Sequence, residues 1–386
     1  MTDLAHKTPP HGGDVYHLAR SLGINVADLL DFSASINPLG FPPGLAGAVQ
    51  EALTAIVHYP DRRCVALRQD LADYHHLTPE EILVGNGSTE LIYLLARVLK
   101  PRRGLIVTPA FSEYEHALTV AGVPLAYQAT TEAHNFTLHE VFEAQAEDLV
   151  FLAHPASPSG TLLDPKLFLE VAAALDAAGA YLLLDEAFID FVEEASFKSN
   201  LSRFPRLLIL RSFTKFFGIP GMRLGCLLAA PELVTRLAGK QEPWSVSSMA
   251  QVMGRACLAD GKYMAATRAV IAQERAFLLD RLAALPGLTP FSSAVNYLLV
   301  KLNRPGATAA RLREQMLAQR IVIRDASNFR GLDERFFRIA VRSRKENERL
   351  LKALAECLVI SRGLFTPRLP KVLAVKTECK KLMTPK

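Results

Sequence analysis

AYLLLDEAFIDF (Ala180 to Phe191) and, further along, LLILRSFTKFFGIPGMRLGCLLAA (Leu207 to Ala230) decide the fold. Each opens with a strand-length run, apolar nearly throughout, that stops at a charged residue. Such a run, without alternation, is the pattern of a strand buried on both faces. It recurs at GLIVT (Gly104 to Thr108), DLVFLA (Asp148 to Ala153) and LGCLLAA (Leu224 to Ala230). Helical patterns lie between these runs, at 88–99, 112–121, 165–178 and 231–238. The alternation predicts βαβ units and a mostly parallel sheet with helices on both sides. Ligands of such sheets sit beyond the carboxyl ends of the strands. The segments that matter most are therefore PAFSEY after Thr108, HPASPSG after Ala153, DEAFIDF after Leu184 and RSFTKFFGIPGMRLG after Leu210.

From about Pro286 the pattern changes to shorter, mixed elements: NYLLVKL, a helix near 308–319, IVIRD, RFFRIAV and a helix near 345–358. This predicts a second, α+β domain. The expected division is an N-terminal arm over 1–45, which joins the small domain, a large domain over 46–285, the small domain over 286–364 and a basic tail over 365–386. The 386 residues carry 44 Lys+Arg against 39 Asp+Glu, a net charge of +5. That balance is too weak to argue for nucleic acid and suits an anionic small substrate. The start, MTDLAHKTPPHGGD, has no apolar h-region, and no run approaches the ~18 apolar residues that span a membrane. Five scattered cysteines without a CxxC pair argue against a disulfide framework or a structural zinc site, and Cys379 reads as an inert, exposed thiol. A cytoplasmic protein with no membrane, nucleic-acid or metal partner is expected.

Lys215 stands just past a buried run, between the hydroxyls of Ser212 and Thr214 and the turn residues Gly218, Pro220, Gly221 and Arg223. Most lysines are solvated surface charges. Here two hydroxyls and an arginine make a pocket suited to a phosphate dianion, and a partly desolvated lysine can lose its proton and form a Schiff base. In GNGSTELI (Gly85 to Ile92), Ser88 and Thr89 open a helix; it is either an ordinary capped helix or the other wall of a phosphate cup. Asp185 either caps the segment after its strand or faces a pyridine nitrogen. Phe111 either packs in the core or stacks on a cofactor ring. Arg324 and Arg338 adjoin apolar stretches, so each needs an anionic partner, whereas Arg342 and Arg344 read as solvated.

Together SFTKFFGIPGMRLG, DEAFIDF, GNGSTELI and HYPD resemble the fold-type I pyridoxal-phosphate enzymes of the class I/II aminotransferase superfamily, over about residues 10–360. HGGD (His11 to Asp14), DFSASINPLG (Asp31 to Gly40), Phe188 and PWSVSSMAQ (Pro243 to Gln251) resemble the threonine-phosphate decarboxylases more than the related histidinol-phosphate aminotransferases. The resemblance implies a large domain with a mostly parallel seven-stranded sheet, pyridoxal 5'-phosphate as cofactor, and a homodimer with shared active sites. By the same resemblance Lys215 links to the cofactor and shuttles protons, and Asp185 pairs with the ring nitrogen. Ser88, Thr89, Ser212, Thr214 and Arg223 hold the phosphate, Phe111 stacks on the ring, and Tyr59 reaches in from a neighbouring subunit. Arg324 and Arg338 hold a substrate carboxylate and phosphate, helped by His11 and Asn37. HPASPSG departs from the family's Asn-Pro-x-Asn-Pro-x-Gly. With Ser157 for asparagine and Phe188 for tyrosine, the ring hydroxyl loses one or two hydrogen bonds, each worth about 0.5–1.5 kcal/mol net.

The implied reaction is decarboxylation of threonine phosphate to aminopropanol phosphate, a linker precursor of cobalamin. Histidinol-phosphate transamination is the alternative, and a non-catalytic binding protein on the same scaffold is the third. Which bond is cleaved depends on how Arg324 and Arg338 grip the two anions, which motif spacing leaves open.

Overall fold

The computed structural model describes residues 11–360, so the basic tail and Cys379 lie outside the described residues. Thirteen strands follow in order: β1 (Leu30–Asp31), β2 (Ile82–Gly85), β3 (Arg103–Thr108), β4 (Leu125–Ala129), β5 (Asp148–Ala153), β6 (Tyr181–Asp185), β7 (Leu207–Ser212), β8 (Gly225–Ala229), β9 (Leu288–Pro290), β10 (Tyr297–Leu302), β11 (Ile321–Val322), β12 (Arg324–Asp325) and β13 (Phe336–Ala340). Seven of them form one sheet in the order β2-β8-β7-β6-β5-β3-β4. Only β8 runs against its neighbours.

Burial on both faces explains the unbroken apolar runs. Leu182 and Leu184 of β6 face one core cluster and Leu183 the other. In β7, Leu207 and Ile209 join the first cluster while Leu208 and Leu210 join the second, as the two-residue period of a strand requires. Local signals set the helix ends equally plainly. Before the helix Pro165–Ala178, Asp164 accepts from the Lys166 and Leu167 amides at 2.9 and 3.0 Å, and Gly179 closes the helix at φ 77°.

A second, antiparallel sheet has the order β12-β13-β10-β9. The N-terminal segment joins it at its side: β1 pairs in parallel with β11, and the Ala340 amide donates to the Phe32 carbonyl at 2.9 Å. Arg342, read from sequence as solvated, instead donates to the Asp31 carbonyl at 3.1 Å and to Glu346 at 2.7 Å. That carbonyl lies on the arm, so no local pattern around Arg342 announces it. Cys64, Cys226 and Cys257 are free thiols, and no group of three or more His, Cys, Asp or Glu among the described residues could hold a metal. No described helix is long and apolar enough to cross a membrane.

Candidate active site

The reversed direction of β8 creates one end of the site. Because β8 runs against β7, its first residue, Gly225, lies opposite Ser212 at the carboxyl edge of the parallel strands. Arg223, just before β8, adopts a left-handed backbone (φ 52°) and so arrives at the same edge. Its guanidinium lies against Gly87, where a Cβ would stand 2.4 Å from Nη2; only glycine admits that approach at φ 76°. Gly87 begins the helix Gly87–Leu99, whose preceding residue Asn86 supplies no side-chain cap. The free amides of this first turn and the hydroxyls of Ser88 and Thr89 therefore face a cavity that Ser212, Thr214 and Arg223 also line. Among the described residues none of these four hydroxyls, nor the guanidinium, bonds to another protein group. A donor set of amides, hydroxyls and one arginine fits a phosphate dianion.

The cavity, about 370 Å³, extends from this cup over Lys215 and Asp185 to Arg324 and Arg338. Lys215 lies on a single helical turn, Phe213–Phe216, rather than in an open loop. Burial, then the nearby charges of Arg223 and Arg338, push its amine down to about 8, against a smaller opposing pull from Asp185. Asp185 does both things considered for it. Its Oδ1 accepts from the Ala187 amide at 2.9 Å, tying down the next segment, and the carboxylate also lines the cavity. Burial raises its pKa, while the Tyr114 hydroxyl, the Ala187 amide and the Lys215 charge favour the ionised form. Tyr114 is fully buried, donates to Asp185 Oδ2, and stacks on Phe151 with centroids 4.9 Å apart. Phe111 stands edge-on to Tyr114 at 5.7 Å with its side chain on the cavity.

The segment Phe111–Tyr114 thus serves the site three times. Between its two aromatic residues, Glu113 accepts from His11 Nε2 at 2.8 Å and from the Tyr93 hydroxyl at 2.7 Å, holding the N-terminal segment at the cavity mouth. Below the floor, Arg211 is buried among Glu186, Asp190 and Glu193. It joins the segment after Asp185 to the strand that carries Ser212 and leads to Lys215. His154, which stands where the family has asparagine, is a buried structural group. Its Nδ1 accepts from the Leu163 amide at 3.2 Å, Nε2 donates to the Ala195 carbonyl at 3.0 Å, and burial holds its pKa down at about 4.

Of the residues singled out from sequence, His11, Ser88, Thr89, Phe111, Ser157, Asp185, Ser212, Thr214, Lys215, Arg223, Arg324 and Arg338 all line this one cavity. Two do not. Asn37 is buried beneath it: Nδ2 donates to the Phe216 carbonyl, Tyr263 and Thr267 at 2.7–2.8 Å, and its amide donates to the Lys215 carbonyl at 3.1 Å. It supports the lysine turn from below. Tyr59 is 79% exposed and stacks on Trp244 at 4.7 Å, away from this cavity. Sequence reasoning passed over Tyr114, Ser33, Ser35, Asn328 and Phe329. Ser33 and Ser35 were in view in DFSASINPLG, and with the intervening Ala34 they line the cavity.

A model of the class I and II aminotransferases matches residues 27–354. The chain belongs to that family and is a pyridoxal-phosphate-dependent enzyme. It is 40% identical to threonine-phosphate decarboxylase of Salmonella typhimurium over 353 residues, 90% of this chain and 96% of that one. The crystal structure of the histidinol-phosphate aminotransferase from Clostridium acetobutylicum superposes with a TM-score of 0.79 at 29% identity, over 85% of this chain and 99% of that one. That of L-threonine-O-3-phosphate decarboxylase from Porphyromonas gingivalis superposes at 0.78 and 28%, over 86% and 100%.

Proposed function

We propose that the enzyme decarboxylates L-threonine O-3-phosphate to (R)-1-amino-2-propanol O-2-phosphate, in the assembly of cobalamin. The observation that carries this reading is the pair Arg324 and Arg338. Both are directed into the cavity that holds Lys215, and neither has a carboxylate partner among the described residues. Two such guanidiniums call for a substrate with two anionic groups, and the 40% identity to a threonine-phosphate decarboxylase agrees.

When bound, pyridoxal phosphate supplies a ring that accepts the electron pair left behind as CO₂ departs. Ser88, Thr89, Ser212, Thr214 and Arg223 hold its phosphate, and Asp185 keeps the proton on its ring nitrogen. Phe111 would stack on the ring, and Ser157 lines the same cavity. Lys215 Nζ, free of its proton for part of the time at neutral pH, is the amine that would hold the cofactor's aldehyde carbon. It later returns a proton to the substrate carbon that lost its carboxylate. Arg324 and Arg338 grip phosphate and carboxylate, so that the bond to be broken is set by the protein and not by the substrate. His11, clamped by Glu113, lines the cavity on the side of Arg324.

A homodimer completes the site. Ile56, Val57, Tyr59 and Val65 expose 60–79% of their surface, with Trp244 stacked beside them. A second copy covers this apolar face, which places Tyr59 at the neighbour's cavity.

Glutamate, with two carboxylates, would satisfy the same arginine pair, and the similarity to histidinol-phosphate aminotransferases supports that second reading. The test is to supply the holoenzyme separately with threonine phosphate and with histidinol phosphate plus 2-oxoglutarate. Rapid CO₂ release from the first and no glutamate from the second is expected. Glutamate without CO₂ would overturn the assignment.

A further inference from the structure

Arg324 and Arg338 are direct partners across the antiparallel pair β12–β13, so both side chains leave the same face of that sheet. Like charges placed directly opposite repel. Among the described residues no carboxylate bridges them: the one side-chain hydrogen bond is from Arg324 Nη2 to Asn328 Oδ1, at 2.8 Å. Burial, with the Arg338 charge as second cause, lowers the Arg324 pKa to about 10. Something other than a counter-ion must therefore hold the two guanidiniums in place.

Phe329 lies within reach of both. Its ring centroid is 5.5 Å from the Arg324 guanidinium carbon and 5.9 Å from that of Arg338, and Arg338 has Tyr297 as a second ring at 4.7 Å. These distances are in the range where a ring quadrupole attracts a cation. The ring is itself fixed, packed in a cluster with Phe136, Phe291 and Phe336, and its amide donates to the Ala326 carbonyl at 3.1 Å. It also lines the cavity.

We propose that Phe329 determines specificity: its single ring, shared by both guanidiniums, fixes them as two separate anion sites, so that the cavity selects molecules with two anionic groups over molecules with one. Without the ring the arginines are free to converge on one anion, and the second group of a doubly anionic ligand loses its partner. The choice of phosphate plus carboxylate as the two groups rests on the function proposed above; the existence of two fixed sites does not.

The experiment uses the holoenzyme and two variants, Phe329→Leu, which keeps an apolar side chain without a ring, and Phe329→Tyr, which keeps the ring. Phe329→Met replaces the first should leucine not fold. Calorimetry measures binding of 2-phosphoglycolate, which carries both anions and no amine, and of methyl phosphate, which carries one. Wild type and F329Y are expected to prefer 2-phosphoglycolate, and F329L to lose about tenfold of that preference. In parallel, F329L is expected to raise KM for threonine phosphate about tenfold and to lower kcat, because loosened arginines no longer hold the scissile bond in place. A folded F329L that keeps the preference, or an F329Y that loses it equally, overturns the proposal. Intact probe preference without turnover of threonine phosphate would instead count against the substrate reading alone.

Discussion

Lys215 owes its reactivity first to burial and then to two neighbouring arginines, with Asp185 as the carboxylate that stabilises its charge. With the amine at about 8, roughly one-tenth is neutral at pH 7, far more than for an ordinary lysine near 10.4. Capture of pyridoxal phosphate by the apoenzyme should accelerate with rising pH and level off above about 8. Arg338→Leu should move that midpoint upward, because one neighbouring positive charge is gone; stopped-flow absorbance reads both. Tyr114→Phe makes a second test. Its hydroxyl favours the ionised form of Asp185, so its loss raises that pKa further, and the acid limb of the kcat profile should move to higher pH. A hydrogen bond to a charged group is worth about 1.5–3 kcal/mol, so kcat should fall on the order of 10- to 100-fold. Lys215, Asp185 and the hydroxyls were legible in the sequence because strand ends announce themselves. Tyr114 was not, since its role appears only when the helix Ser112–Val120 brings it against β6. Asn37 misled for the opposite reason: a polar residue beside the cavity-lining segment Ser33–Ser35 turned inward to serve the Phe216 carbonyl and the hydroxyls of Tyr263 and Thr267.

Among the elements, β8 and the turn at Gly87 carry the phosphate end. Gly87→Ala would drive a Cβ into Arg223, so the variant should fold yet lose cofactor on dialysis, as the absorbance ratio of cofactor to protein will show. The buried Arg211 cluster is a structural counterpart. Arg211→Met leaves Glu186 and Asp190 buried without their cation, and loss of one partner of such a group costs about 3–5 kcal/mol. A large fall in Tm is expected, with cofactor released in the same transition because Glu186 adjoins Asp185. The long buried strands were read from sequence to within a residue or so, since two-faced burial leaves an unmistakable apolar run. β2 and β4 were missed. β2 is apolar and fully buried but only four residues long, and β4 is an edge strand whose side chains are half-exposed, so neither gives a run long enough to read. The direction of β8 was equally hidden, because an apolar run has no polarity.

For the whole molecule, two sheets and an N-terminal segment meet around one cavity, and a second copy is proposed to cover the exposed face at Tyr59. Sedimentation equilibrium should return twice 42.4 kDa, and Val57→Asp should halve it while weakening cofactor retention. The change of rhythm at about Pro286 falls where the strands of the second sheet begin, at β9. An arm joining the small domain was expected, but its strand pairing of β1 with β11 was not, because most of the chain separates the two strands. What the assembled cavity does to its substrate is tested most directly by a single turnover of holoenzyme with threonine phosphate carrying ¹³C in the carboxylate. The account requires one labelled CO₂ per substrate consumed, unlabelled aminopropanol phosphate, and a cofactor recovered in its aldehyde form. Label retained in a 2-oxo acid, with the cofactor converted to its amine, would contradict it.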